Sequence, residues 1–232
     1  EIPDFPKRDM RNFAMQRLTA DVPSVAEDLR QADVPLENVI DRMIHVNVTS
    51  PRNALQILNA FSQCWWIAKR REREDGSNRA GGLQDGAVTR HPIALAALCA
   101  LRVDYPDFFH HLVKEPDLID RFAAVFIRKE PLAEQPESTR SLLAKYQDDK
   151  GELFAKHRPL KQFINSLGGL RWPDSLQPLL ILSQDPVTRR HGDKAVPLYE
   201  AFVSADSEEV LRLLGRDKDG RPLDVADVRQ LK

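Results

Sequence analysis

The sequence predicts an all-α chain, and three observations predict it. Apolar residues recur at spacings of three and four along most of the chain, which is the period of one helix face. Prolines such as Pro35, Pro51, Pro92 and Pro116 stand where helices would begin, a position that tolerates a missing N–H. Nowhere do several residues strictly alternate apolar and polar, so no half-buried strand is expected. The expected architecture is an irregular helical bundle with a long central helix, plus a second bundle of short, proline-punctuated helices.

Glu1 to Pro6 carries two prolines and reads as an entering linker or the end of a strand. A first helix is expected over 7–20, with Met10, Phe13, Ala14 and Leu18 on one face. Asp21-Val22-Pro23 breaks it, and a short helix follows over 24–32. Asp33-Val34-Pro35 opens a third, with Leu36, Val39, Ile40, Met43 and Ile44 together. His45 to Val48 looks extended. Thr49-Ser50-Pro51-Arg52 then starts the long helix, expected to run to about Glu74. Its stripe is Ala54, Leu55, Leu58, Phe61, Trp65 and Ala68. Ser50 suits the N-cap, Pro51 the first helical position, and Lys69, Arg70, Arg71 and Arg73 the negative end of the helix dipole. The first seventy-five residues therefore read as one subdomain, a compact bundle of four helices.

Residues 76–90 are glycine-rich and aperiodic and read as a flexible loop. A C-terminal helical subdomain is expected over 91–232. His91-Pro92 restarts order with Ile93, Ala94, Ala97, Leu98 and Leu101. Tyr105-Pro106 and Glu115-Pro116-Asp117 separate the helices that follow, and 130–140 reads as a second exposed loop. Leu142 to Tyr146 is a brief helix. The helix carrying Leu160, Phe163, Ile164 and Leu167 closes at Gly168-Gly169. Further helices are expected over 175–182, 197–203 and 206–215, the last capped by Asp206 with Glu209 three residues on.

Composition narrows the function classes. A hydrophobic fraction of 42% supports a real core, and a formal net charge of −1 supplies no global field for nucleic acid or an anionic membrane. No apolar run is long enough to cross a bilayer. Cys64 and Cys99 form no metal or redox motif and read as reduced core thiols of a cytoplasmic protein. The chain begins with Glu1 and shows no signal peptide, so a piece of a longer protein is expected.

No self-sufficient active site is visible, and no catalytic or metal-ligating residues are assigned. His110-His111 are adjacent and point about 100° apart on a helix. The other histidines lack a ligand-spaced partner. Asp217 to Gly220 would make an incomplete calcium loop and reads as a turn. No phosphate loop G-x-x-x-x-G-K-[ST] occurs. Arg189 to Lys194 is a basic loop, and Lys69 to Arg73 reads as a solvated helix end. Arg52 is the odd residue, a cation in the first turn of a helix, where the dipole disfavours it by roughly 0.3–1 kcal/mol. It is solvated, or paired with an acid such as Asp41, or waiting for an anion that the open amides would also bind.

Thr49-Ser50-Pro51-Arg52-Asn53 ahead of a long amphipathic helix resembles the S/N-P-R segment of KAP-type P-loop NTPases and their AAA+ and STAND relatives. Leu101-Arg102-x-Asp104-Tyr105-Pro106-Asp107-Phe108-Phe109, with Glu115-Pro116-Asp117-Leu118, resembles the helical tail of the KAP type, and Ile2-Pro3-Asp4-Phe5 the exit from the last core strand. The resemblance covers roughly residues 1–125. It implies ATP with magnesium, held by a nucleotide-binding core that this chain lacks, so the chain is not expected to bind or hydrolyse ATP unaided. It also implies that Arg52, presented by Ser50, senses the phosphates and that the helices act as a lid. The implied partners are that core and a protein effector or second copy. The alternative is an all-α protein–protein interaction module with no nucleotide role. A third reading, DNA contact through Arg70, Arg71, Arg189 and Arg190, requires steep salt dependence, and nucleic acid is not the expected partner.

Overall fold

The computed structural model describes residues 6–74 and 86–183. The chain divides into two units, Glu1–Ser183 and Gln184–Lys232, and every described residue belongs to the first. The helices expected over 197–203 and 206–215, the Arg189 to Lys194 loop and the Asp217 to Gly220 turn lie outside the described residues. The fold is all-α. Ten α-helices and three short 3-10 turns make up the described part, joined by one isolated antiparallel bridge between Gln147 and Leu153. None of the described helices is long and apolar enough to cross a membrane.

The helices are α1 (Lys7–Asp21), α2 (Pro23–Gln31), α3 (Leu36–Met43), α4 (Pro51–Glu74), α5 (Pro92–Asp104), α6 (Pro106–Lys114), α7 (Leu118–Phe126), α8 (Glu137–Leu143), α9 (Arg158–Ser166) and α10 (Gln177–Ser183). α2, α5, α6 and α9 carry proline at one of their first two positions, where the ring costs no hydrogen bond. Two expectations need correction. His45 to Val48 is a turn, not extended, closed by the Val48 amide donating to the His45 carbonyl at 3.0 Å. Residues 130–140 are not simply a loop, because they include the 3-10 turn Leu132–Glu134 and the start of α8. Pro136 precedes the first helical residue of α8, and Gln135 and Thr139 turn inward.

α4 is the longest helix, but α5 is the centre. Every residue from Ala94 to Leu101 is buried, and α3, α4, α6 and α10 pack around it. A helix apolar on all sides has no solvent face to offer. Ala94, Ala96, Ala97 and Ala100 keep its girth small, which lets the neighbouring helices approach. The helices expected in separate subdomains, before residue 75 and after residue 91, contribute to one hydrophobic cluster. α4 lies against that centre with Ala54, Ile57, Phe61, Cys64, Trp65 and Ala68 inward.

Polar side chains then lock the layers. Asp28 of α2 accepts from Lys69 Nζ at 2.5 Å and faces Trp65 Nε1 at 3.4 Å. Arg102 of α5 donates to the Ser183 carbonyl at 2.8 Å, and the Cys64 thiol to the Leu182 carbonyl at 3.2 Å. Together they satisfy two of the open carbonyls at the end of α10. Cys64 and Cys99 are free and buried. The hydrogen bond with Cys64, and then burial, push the Cys99 thiol well above its ordinary range, so it is held as an unreactive thiol.

His111 of α6 shares a hydrogen bond with the Tyr146 hydroxyl at 2.8 Å, and the His157 ring lies 4.9 Å from the Tyr146 ring. Burial holds both histidines below the usual imidazole value. Lys145, His110 and Lys114 add to this at His111, and Lys156 at His157, while Asp107 opposes it at both. Burial also raises the Tyr146 phenol. A histidine whose folded pKa is depressed favours the neutral ring in the fold. Its contribution is complete above the unfolded value of 6.5 and is lost as pH falls through that value and the folded one. The urea midpoint should therefore drop between about pH 7.5 and about pH 5.5. The double variant His111→Gln/His157→Gln should show a smaller drop over the same interval, and an equal drop would assign the acid sensitivity elsewhere.

Candidate functional site

The start of α4 is built as its sequence suggests. The Ser50 hydroxyl accepts from the Asn53 amide at 3.2 Å, and the Ser50 carbonyl takes the Ala54 amide at 3.1 Å. Pro51 is the first helical residue, and no acid stands in the first turn. Arg52 is exposed, and among the described residues it makes no ion pair or hydrogen bond. Asp41, the acid expected from sequence as a possible partner, pairs with Arg11, with Asp41 Oδ1 2.7 Å from Arg11 Nε. The cation thus stays at the positive end of a helix with nothing beside it to offset the dipole.

A second polar centre was not visible in the local sequence. His45 and Asp104, 3% and 11% exposed, meet at 2.6 Å through Nε2 and Oδ2. Nδ1 of the same ring accepts from the Asn47 amide at 3.3 Å, so the ring proton sits on Nε2 and is donated to the carboxylate. Asn47 Nδ2 donates to the Tyr105 hydroxyl at 3.0 Å and to the Pro159 carbonyl at 3.2 Å. Burial raises the Tyr105 phenol to about 12, against the Asn47 hydrogen bond and with help from Asp104. Both ring nitrogens of His45 are therefore spent on the fold, and the pair is a clamp between the 45–48 turn and the end of α5, not a general base. Asp104→Ala should cost about 1.5–3 kcal/mol, because a buried donor loses a charged acceptor. Denaturant titration checks this, and an unchanged midpoint would show that water replaces the carboxylate.

The His45 clamp forms part of the wall of a cleft of about 960 Å³. Lys7 and Arg11 reach it from α1, Asp41 and Arg42 from α3, and Arg90 with His91 from the approach to α5; Arg171 and Trp172 follow α9. Five Lys or Arg residues line it against one carboxylate. The chain as a whole carries −1, so this positive charge is concentrated, not a share of a basic surface. Arg42 Nη1 donates to the Ser166 carbonyl at the end of α9, at 2.5 Å. Burial lowers the Lys7 pKa, as do the neighbouring Arg11 and Arg42, with Asp41 acting the other way.

Comparison of the chain with protein-family models, with curated proteins and with solved structures finds no match. Geometry therefore carries the functional argument. Ser50 and Arg52 are not among the residues lining the cleft, so the sequence-predicted residues and the basic cleft are separate features. Of the arginines considered for DNA contact, Arg70 stacks its guanidinium 5.7 Å from the Trp66 ring centroid, and Arg189 and Arg190 lie outside the described residues. Among the described residues no group of three or more His, Cys, Asp or Glu could hold a metal ion. The cleft cations were missed because they come from elements far apart in sequence. The one local signal was Lys7 and Arg11, four residues apart on a helix.

Proposed function

We propose that this chain is the helical lid and C-terminal region of a cytoplasmic P-loop NTPase, in which Arg52 senses the phosphates of a nucleotide held by a separate core. The observation that carries the reading is the state of Arg52. It is exposed, without an ion-pair partner among the described residues, on a helix start whose geometry Ser50 sets. A guanidinium in that setting fits a phosphate, which the helix amides also favour. ATP with magnesium would supply the phosphate charge, the metal being held by the core and not by this chain. A lid responds only if Arg52 meets the phosphates of ATP and ADP differently, because a ligand that does not distinguish two arrangements cannot shift them. The chain alone should show no ATPase. Joined to its core, it should lose turnover when Arg52 is replaced, and full turnover in that variant would remove the reading.

A second reading is an all-α protein–protein interaction module. It is favoured by Trp66, 59% exposed on α4 where its neighbour Trp65 is buried, since exposed tryptophans are enriched at binding surfaces. Under it, Arg52 is neutral and Trp66→Ala abolishes capture of the effector.

A further inference from the structure

Two of the cations in the basic cleft have structural duties. Arg11 faces Asp41, and Arg42 ties α3 to the C-terminal end of α9. The tie to Ser166 orients the Arg42 guanidinium at the negative end of α9, which offsets part of its charge and leaves no carboxylate on it. Among the described residues, Lys7, Arg42 and Arg171 have no carboxylate within ion-pair distance. Such crowding of like charges is unfavourable unless an anion relieves it, and the lowered Lys7 pKa reports that strain together with burial.

The wall also includes the start of a helix. α5 begins at Pro92 after His91, with no side-chain cap and no acid in its first turn. Ile93 and Ala94, whose amides belong to that uncapped turn, line the cleft. The remaining wall is mixed, with Phe163, Leu170 and Trp172 beside the polar Asn38, Gln162 and Ser166. A volume of about 960 Å³ is at the upper end of small-ligand pockets and larger than a few phosphates need.

We propose that this cleft binds a small molecule carrying two or more phosphate groups on an apolar or aromatic body, with Lys7, Arg42, Arg171 and the first amides of α5 taking the phosphates. Several phosphates are favoured over a lone carboxylate because five cations face one acid, and a single carboxylate brings one negative charge where a polyphosphate brings several. A single cleft with five cations gathered in it favours a small molecule over a nucleic-acid backbone, which needs an extended basic track. The site stands apart from Arg52, so either proposal can fail alone.

The test is calorimetric titration of the 232-residue chain with inorganic tripolyphosphate, which probes the anionic half of the site. One saturable site is expected, weakening as salt is added. Lys7→Gln and Arg171→Gln should each weaken it about tenfold, the scale of one charge-assisted hydrogen bond, with the melting temperature unchanged. Lys7→Arg should restore binding, which a merely unfolded variant would not do. Lys150→Gln, an exposed lysine outside the cleft, should bind as the parent does. Absence of saturable binding, or parental affinity in both glutamine variants, would overturn the proposal. So would a single-stranded oligonucleotide that binds through these residues while tripolyphosphate does not, because that would make the cleft a nucleic-acid surface.

Discussion

Under the proposed lid reading, Arg52→Ala should lower nucleotide turnover about ten- to a hundredfold when the chain is joined to a nucleotide-binding core. One charge-assisted hydrogen bond to a phosphate is worth about 1.5–3 kcal/mol, and about 1.4 kcal/mol is a factor of ten. The same substitution should leave the fold intact. Arg52 is exposed and unpaired among the described residues, and removing a cation from a helix N-terminus recovers roughly 0.3–1 kcal/mol. Stability should therefore hold or rise while activity falls, which separates a phosphate contact from a structural role. Ser50→Ala should behave differently. It removes the acceptor of the Asn53 amide and should cost about 1 kcal/mol of stability, with a smaller loss of turnover through the position of Arg52. A melting curve and a steady-state assay on the two variants decide the matter. Parental turnover in Arg52→Ala would leave the interaction module as the better account.

Glu72→Ala should destabilise the fold by roughly 3–5 kcal/mol, because three hydrogen bonds to one carboxylate are lost together. Glu72 is 8% exposed. Its Oε1 accepts the Val88 amide at 2.8 Å and the Thr89 amide at 3.1 Å, and its Oε2 accepts the Thr89 hydroxyl at 2.5 Å. The side chain pins residues 88–89 to the last turns of α4, immediately ahead of α5. Without it, two backbone donors are left beside Val88, itself fully buried. Glu72→Gln keeps one acceptor oxygen for the two amides and should lose less. Denaturant unfolding of both variants would measure the difference. Equal stability of Glu72→Ala and the parent would show that water serves these donors and that α5 needs no such anchor.

Glu72 also marks where the sequence misleads. In the run Lys69 to Glu74 it reads as one more charge on a solvated helix end, because a local pattern reports only the average polarity of a turn. Its burial depends on residues 88–89 returning to that turn, which no spacing within the helix announces. Trp65 and Trp66 make the same point more mildly. They are adjacent, and the helical period alone puts Trp65 inward, yet only packing shows that Trp66 stays 59% exposed beneath the Arg70 guanidinium. The 130–140 stretch misleads in the other direction. Its prolines suggest an open loop, but Pro136 is tolerated immediately before α8.

The α class, the positions of most helices and the capped start of α4 followed from residue order, because they depend on interactions within one or two turns. A nine-residue apolar run, Ile93 to Leu101, already held the information that α5 is the buried helix. Which helices surround α5, the His45–Asp104 clamp and the basic cleft did not follow in that way. Each joins residues from helices distant in the chain, and the energy of a contact depends on separation in space, which a linear pattern does not contain. Arg52 sits between the two cases. Its place at a helix start was written in four consecutive residues, while the pairing of Asp41 with Arg11, and not with Arg52, was settled only by the packing of α1 against α3.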